Sequence, residues 1–187
     1  FINNNTERTK MFQINIRDNK KTSTGHTELW KIYQILNKFT QLHKNIPSQS
    51  VKIFLTVAEQ SYFSKTDIYI NNLVKTTKYP QSTVSRNIAS FCRINRHKKR
   101  GHCLLEKTTD FNDNRVKIIK LDFLGQQFIQ DILKFFKYDF NFEKKKPSEY
   151  LNQIISFLNL FLKYDEEILI QVIKTYILIS KAYLLGD

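Results

Sequence analysis

The sequence predicts a mostly helical fold that contains one β-hairpin. Glycine and proline are scarce, at 4 and 3 of 187 residues, which favours a helical protein. Apolar residues recur at helical spacing through most of the chain, whereas two segments within 103–121 have strand character and flank a run of turn-forming residues. Hydrophobic residues make up 41% of the chain, enough for a core, and the length suits one domain with an added oligomerisation element.

The first 27 residues are polar and basic, and we interpret them as an N-terminal arm. Within this arm, Met11–Arg17 alternates enough for a short strand, although a disordered tail is an equal alternative. A helix is predicted over 27–43 with Thr27 as its N-cap. A second helix is predicted over 49–59, after a proline and a serine.

A short third helix is predicted over 68–77, capped by Thr66 or Asp67. After a turn, a fourth helix is predicted over 80–94. Pro80 suits its first position, because the N–H that proline lacks would have no helical partner there. One face of the fourth helix is apolar, with Val84, Ile88, Phe91 and Cys92, and the other carries Ser82, Thr83, Ser85, Arg86, Asn87, Ser90 and Arg93.

A basic loop over 93–102 follows, and then two predicted strands, at 103–108 and 115–121. The residues between the strands favour turns, so the pair is predicted to form a β-hairpin. Helical spacing returns over 122–138. The apolar stripe of this helix comprises Leu124, Phe128, Ile132 and Phe135 or Phe136.

Two further helices are predicted near the C-terminus, at 148–163 and 165–184, the second starting with the acidic run Asp165–Glu167. Both are apolar around most of their circumference, which indicates burial on several sides. We therefore predict a dimerisation region over 141–187, to which the helix over 27–43 also contributes, and a homodimer as the working form.

The apolar run near the C-terminus is predicted to be a buried helix and not a membrane span. Gln171, Lys174 and Lys181 interrupt it, and a span needs about 20 mostly apolar residues without a central charge. The two cysteines are too few for a disulfide framework, which favours a reducing cytoplasm. We expect a nucleoid-associated protein with no membrane partner.

The predicted order of elements over 28–140 is the plan of a winged helix-turn-helix with a two-stranded wing. The net charge of +13 favours a polyanionic partner. Residues 51–120 hold 14 basic and 5 acidic residues, whereas 121–187 hold 8 and 9. The positive charge therefore accompanies the predicted winged helix, and double-stranded DNA is the expected partner.

The polar face of the fourth helix could enter the major groove of DNA, and the wing over 104–121 could reach the adjacent minor groove, where arginine is favoured. Amide side chains pair with adenine, and arginine pairs with guanine or phosphate. The predicted DNA contacts are Gln81, Ser82, Thr83, Ser85, Arg86, Asn87, Ser90, Arg93, Arg96, Lys98, Lys99, Arg100, Asn112, Asn114, Arg115 and Lys117.

Two segments resemble the MarR-type winged-helix transcriptional regulators. Residues 73–86 resemble that family's helix-turn-helix, ending in the Ser-Thr-Val-Ser-Arg run of its recognition helix, and residues 104–125 resemble its wing. The resemblance covers about residues 28–140. It implies that Arg115 is the wing arginine near the minor groove and that Asp113 orients the wing. It also implies that residues 82–86 form the start of the recognition helix.

The chain departs from the family pattern in three places. Lys78 stands where the family usually has a small turn residue, and Val74 where it usually has alanine. The loop over 95–102 is longer than in most members and resembles versions from phage and plasmid proteins. The cleft in which the family binds small effectors cannot be located from the sequence, so an effector stays unknown.

Other functions find less support in the sequence. A zinc site from Cys92, His97, His102 and Cys103 lacks a Cys-x2-Cys pair, and Cys92 suits the apolar helix face. No glycine-rich phosphate loop or catalytic histidine constellation occurs, so no enzyme, metal or cofactor is predicted. The phenylalanines fall at core spacing and not in a single-strand stacking pattern.

The predicted function is a homodimeric, sequence-specific transcriptional regulator. Two alternatives stay open: a phage or plasmid replication-initiation or partition protein, and an architectural or host-targeting interaction protein that binds DNA loosely or not at all.

Overall fold

The computed structural model describes residues 22–63, 67–93, 101–111, 113–137 and 146–185. The predicted strand at 11–17 lies outside these residues. The described residues form seven helices and three strands. In chain order these are α1 (Thr22–Leu42), α2 (Ser48–Phe63), β1 (Ile68–Tyr69), α3 (Ile70–Thr77), α4 (Gln81–Phe91), β2 (Leu105–Thr109), β3 (Lys117–Leu121), α5 (Phe123–Lys137), α6 (Pro147–Leu162) and α7 (Ile170–Leu185).

The first two helices are longer than the sequence predicts. Helix α1 begins at Thr22, so Thr27 lies inside the helix and the predicted N-cap is wrong. Helix α2 continues to Phe63, four residues past the predicted end. Its start is tied to the C-terminal part of the chain, because the Ser48 N–H donates to the Ile168 carbonyl at 2.9 Å.

The sheet has three antiparallel strands in the order β1-β3-β2, whereas a two-stranded wing was predicted. Residues Ile68–Tyr69 pair with Ile119 and Ile118 of β3 instead of starting the third helix. Helix α3 therefore begins at Ile70, with Tyr69 at the N-cap position and no side-chain cap. Asp67, one of the two predicted caps, instead forms an ion pair with Lys120 at 3.6 Å.

The predicted β-hairpin is confirmed. Strands β2 and β3 pair from Leu105 opposite Leu121 to Thr109 opposite Lys117. Glycine is required where α5 leaves the hairpin, because a Cβ on Gly125 would lie 2.0 Å from the Leu104 carbonyl oxygen. In α5, Ile132 and Phe136 are buried as predicted, but Leu124 is 49% exposed. The buried stripe of α5 is completed by Ile129 and Leu133.

Helix α4 ends at Phe91, three residues before the predicted end. From Gly101 onward, backbone N–H groups donate to carbonyls at the end of the helix and just beyond it. Gly101 donates to Arg93, His102 to Ser90, and Leu104 to Phe91. A side chain at Gly101 would not fit among these backbone hydrogen bonds, because its Cβ would lie 2.1 Å from the Cys92 carbonyl oxygen.

The terminal helices pack within the chain, α7 against α1 and α6 against α2. One apolar cluster extends from Ile35 to Ile177, so the predicted ranges 28–140 and 141–187 share a core. Helix α7 starts at Ile170, five residues after Asp165. The acidic run therefore lies in a turn before the helix and not at its start.

Lys174 shows how a charged residue fits into the contact between α1 and α7. It is 6% exposed, and its Nζ donates to Asn37 Oδ1 at 2.7 Å and to Thr40 Oγ1 at 3.1 Å. Burial lowers the pKa of this amine. None of the helices in the described part of the chain is long and apolar enough to cross a bilayer.

Four phenylalanines join the helices at the centre of the core. Phe39 of α1, Phe54 of α2, Phe91 of α4 and Phe128 of α5 lie with neighbouring ring centroids 5.0–5.9 Å apart. Helices α3 and α4, their turn, the sheet and the flanking helices form a winged helix-turn-helix, the fold that the sequence predicts.

Candidate nucleic-acid interface

The turn between α3 and α4 is formed by Lys78 in the left-handed conformation, with φ of 65°. Its N–H donates to the Val74 carbonyl at 3.0 Å. The next residue, Tyr79, is buried under the Lys52 ammonium, which lies 4.9 Å from the ring centroid. Burial, with a smaller effect of Glu166, raises the pKa of Tyr79 to about 12. The turn is therefore fixed against α2 even though a lysine, and not a small residue, occupies its left-handed position.

Helix α4 buries the apolar face that the sequence predicts, and Val84, Ile88 and Phe91 are at most 1% exposed. Pro80 occupies the N-cap position, one residue before the predicted one. The opposite face points to solvent. On that face Gln81, Ser82 and Arg86 are exposed, and Thr83 and Ser85 are half-buried.

An open groove of about 840 Å³ runs between the solvent face of α4 and strand β2. It brings together four predicted contact residues, Ser82, Ser85, Arg86 and Arg93, with Lys107 of the wing. The lining also includes two acidic residues, Glu106 and Asp122. Sequence analysis missed Lys107, although it lies within the segment that resembles a wing. The helix and the wing thus line one polar surface that carries three cationic side chains.

The tip of the wing is fixed by local hydrogen bonds. Asp113 Oδ1 accepts from the Arg115 N–H at 2.9 Å, which fits the wing-orienting role that the family resemblance implies for Asp113. Asn114 and Arg115 are exposed. Lys117 Nζ donates to Thr109 Oγ1 at 2.6 Å and to the Asn114 carbonyl at 3.2 Å, so this predicted contact residue also braces the hairpin.

Asn87 does not lie on the solvent face, and its predicted placement there is wrong. It is 7% exposed, and its Oδ1 accepts a hydrogen bond from the buried hydroxyl of Ser50 in α2. Ser90 is half-buried and donates to the Asn87 carbonyl at 2.7 Å. Asn87 therefore joins α4 to α2 and is not available to a ligand on the solvent face.

We expect Asn87→Ala to lower the free energy of unfolding by about 1–3 kcal/mol, because it leaves the buried Ser50 hydroxyl without an acceptor. Ser82→Ala, a change on the exposed face of the same helix, should cost less than about 0.5 kcal/mol. Urea denaturation followed by circular dichroism measures both values. An Asn87→Ala protein of parental stability whose preferred DNA sequence has changed would show that Asn87 reads bases after all.

A second cavity, of about 540 Å³, lies on the other side of α4. Its lining includes Arg86, Ser90, His43, His102 and Glu167. The His102 ring lies 5.7 Å from Phe91 and 6.4 Å from His43, between ring centroids. Burial, with a smaller effect of His43, lowers the pKa of His102. This imidazole therefore favours its neutral form at physiological pH.

Five predicted contact residues lie outside the described residues: Arg96, Lys98, Lys99, Arg100 and Asn112. The same holds for His97 of the alternative zinc site. Cys92, another member of that set, is 9% exposed and belongs to the apolar core, as the structural interpretation predicts. Among the described residues, no group of three or more His, Cys, Asp or Glu could hold a metal ion.

Comparison with known proteins finds similar structures but no matching family model and no matching curated protein. A MepR variant from a multidrug-resistant clinical isolate of S. aureus is 15% identical, with a TM-score of 0.39 over 76% of this chain and 87% of its own. Bordetella bronchiseptica BpsR, whose DNA binding is regulated by 6-hydroxynicotinic acid, is 16% identical, with a TM-score of 0.37 over 74% and 98%. Both are MarR-family regulators. Both TM-scores are below 0.5, and the winged helix-turn-helix follows from the chain's own elements and strand register.

Proposed function

We propose that this protein is a sequence-specific DNA-binding transcriptional regulator of the MarR type. The observation that carries the proposal is the groove shared by the solvent face of α4 and strand β2, which presents Arg86, Arg93 and Lys107 together. Cations at such a surface attract the phosphate backbone, and the small polar side chains beside them fit base edges.

In this proposal the second helix of the helix-turn-helix, α4, enters the major groove. Gln81 and Ser82 lie in its first turn, where free backbone N–H groups also favour phosphates, and Ser85 lies in the next turn on the same face. Arg86 follows on the same face and is the residue best suited to pair with guanine. Arg115 at the wing tip lies in the adjacent minor groove, where narrow A·T-rich sequences favour arginine.

We propose further that the protein acts as a homodimer through α7. Ile170, Ile173 and Ile177 of this helix are buried within the chain. Another side of the helix remains exposed and apolar at spacings of four, three and four residues, with Val172, Tyr176, Ile179 and Tyr183. That spacing is the a/d pattern by which two helices pair, so a second copy of this chain fits the stripe. A two-fold dimer matches a pseudo-palindromic site.

Arg86→Ala tests the proposed base contact. We expect specific binding to weaken by about 1–3 kcal/mol, roughly 5- to 150-fold, with little change in binding to random duplex. Lys163→Ala removes an exposed charge at the end of α6, away from the groove, and should change neither. The measurement is selection of binding sites from a random DNA pool, followed by titration of the selected duplex.

The same selection separates the alternatives. One palindrome supports a regulator, whereas an array of direct repeats supports a replication-initiation protein. Equal binding of all sequences supports an architectural protein. If Arg86→Ala and the parent select the same consensus with the same affinity, α4 is not the element that reads DNA, and the proposed function fails.

A further inference from the structure

An aromatic side chain projects from the tip of the wing. Phe111 is 100% exposed, in a stretch otherwise made of Thr, Asp and Asn. The other large apolar side chains of the described sheet, such as Ile118, Ile119 and Leu121, are buried. Phe111 therefore contributes nothing to the packing of the wing that carries it.

The backbone beside Phe111 is held in place. The Asp110 N–H donates to the Val116 carbonyl at 3.0 Å, and Asp110 Oδ2 accepts from the hydroxyl of Tyr69 at 3.0 Å. The second bond raises the pKa of Tyr69. It also ties the tip to β1 at the edge of the sheet. A side chain presented from an anchored backbone loses less conformational entropy when it binds.

The distance along the wing suits DNA. Leu105 lines the groove beside α4, and Thr109 lies four residues further along β2, about 13 Å away at the rise of a β-strand. Phe111 lies two residues beyond Thr109. Neighbouring major and minor grooves lie about half of a 34 Å helical turn apart, or about 17 Å. With α4 in a major groove, the tip therefore reaches the next minor groove.

We infer that Phe111 is a wedge that inserts between base pairs in the minor groove and kinks the duplex there. The inference rests on the proposed function. Apolar wedges of this kind unstack a base step and bend the DNA by 20–90° toward the major groove. Arg115 and Lys117 lie in the same hairpin end and place positive charge beside the phosphates. The two acidic residues at the tip, Asp110 and Asp113, accept hydrogen bonds within the protein.

A bending assay on the full chain tests the wedge. The probe is a duplex recovered by site selection and labelled with a donor and an acceptor dye at its ends. The parent protein should raise the energy transfer, because a kinked duplex brings its ends together. Phe111→Ala should abolish this rise and weaken binding about 10-fold. Burial of an aromatic ring contributes about a tenfold gain in affinity or more. Phe111→Leu should retain both effects, because leucine also serves as a wedge.

Arg115→Ala is the matched control at the same tip, and should weaken binding while the bend remains. If Phe111→Ala bends the duplex as the parent does, the wedge is wrong and the proposed function stands. If Phe111→Ala instead changes the oligomeric state, Phe111 contacts protein and the wedge is again wrong. If the parent selects no duplex at all, the proposed function and the wedge fail together.

Discussion

Phe54→Ala is expected to lower the free energy of unfolding by about 3–5 kcal/mol. Phe54 is fully buried, and its ring lies 5.9 Å from Phe39, 5.0 Å from Phe91 and 5.9 Å from Phe128, between centroids. The substitution leaves a cavity bordered by three other helices, which cannot all move to fill it. The loss is a large part of the stability of an ordinary domain.

Urea denaturation followed by tryptophan fluorescence and by circular dichroism measures this loss. Phe111→Ala is the matched control, because it removes the same ring from a fully exposed position and should change stability by less than about 0.5 kcal/mol. Equal stability of the two variants would mean that the four phenylalanines do not form the centre of the core.

Ile179→Glu is expected to convert the proposed dimer into a particle with the mass of one chain, 22.3 kDa. Ile179 is 62% exposed at the middle of the apolar stripe of α7. Folding of the single chain should therefore survive, while two carboxylates would be buried without partners in a symmetric pair of helices. Affinity for a palindromic duplex should fall about 100-fold or more, because the two winged helix-turn-helix units no longer belong to one particle.

Gln171→Glu provides the control, since Gln171 is exposed on the same helix but lies on another side of it. This variant should keep the mass of a dimer and the parental affinity. Light scattering at micromolar concentration measures the mass, and titration of a selected duplex measures the affinity. A parent protein that already scatters as a single chain contradicts the proposed dimer, and Ile179→Glu would then leave DNA binding unchanged.

Apolar spacing predicted the helices and the core face of α4 correctly, because burial of a periodic face needs no information from distant residues. Val84, Ile88 and Phe91 are buried as their positions at i, i+4 and i+7 indicate. The turn-forming residues between two strand-like segments likewise predicted the hairpin, whose pairing is local in the chain.

Two of the errors, at Ile68–Tyr69 and at Asn87, share a physical cause, which is contact between residues far apart in sequence. Ile68–Tyr69 forms a strand because β3, about 50 residues later, offers unpaired backbone groups. Asn87 is polar and looks solvent-exposed by spacing, but Ser50 supplies a buried partner 37 residues away. The solvent face of α4 was therefore predictable in outline, whereas the boundary between its buried polar residues and its exposed ones was not.

The backbone hydrogen bonds at the end of α4 fix the helix end independently of residues 94–100. Arg93 and Gly101 are joined by a 3.0 Å backbone hydrogen bond, and the seven residues between them include four basic ones. Doubling the length of a flexible segment between two fixed anchors costs only about 0.6 kcal/mol of closure entropy. Changes of length or charge between these two anchors therefore leave the end of the helix in place, so that under the proposed function the non-specific attraction to DNA can be altered without altering the sequence that α4 reads.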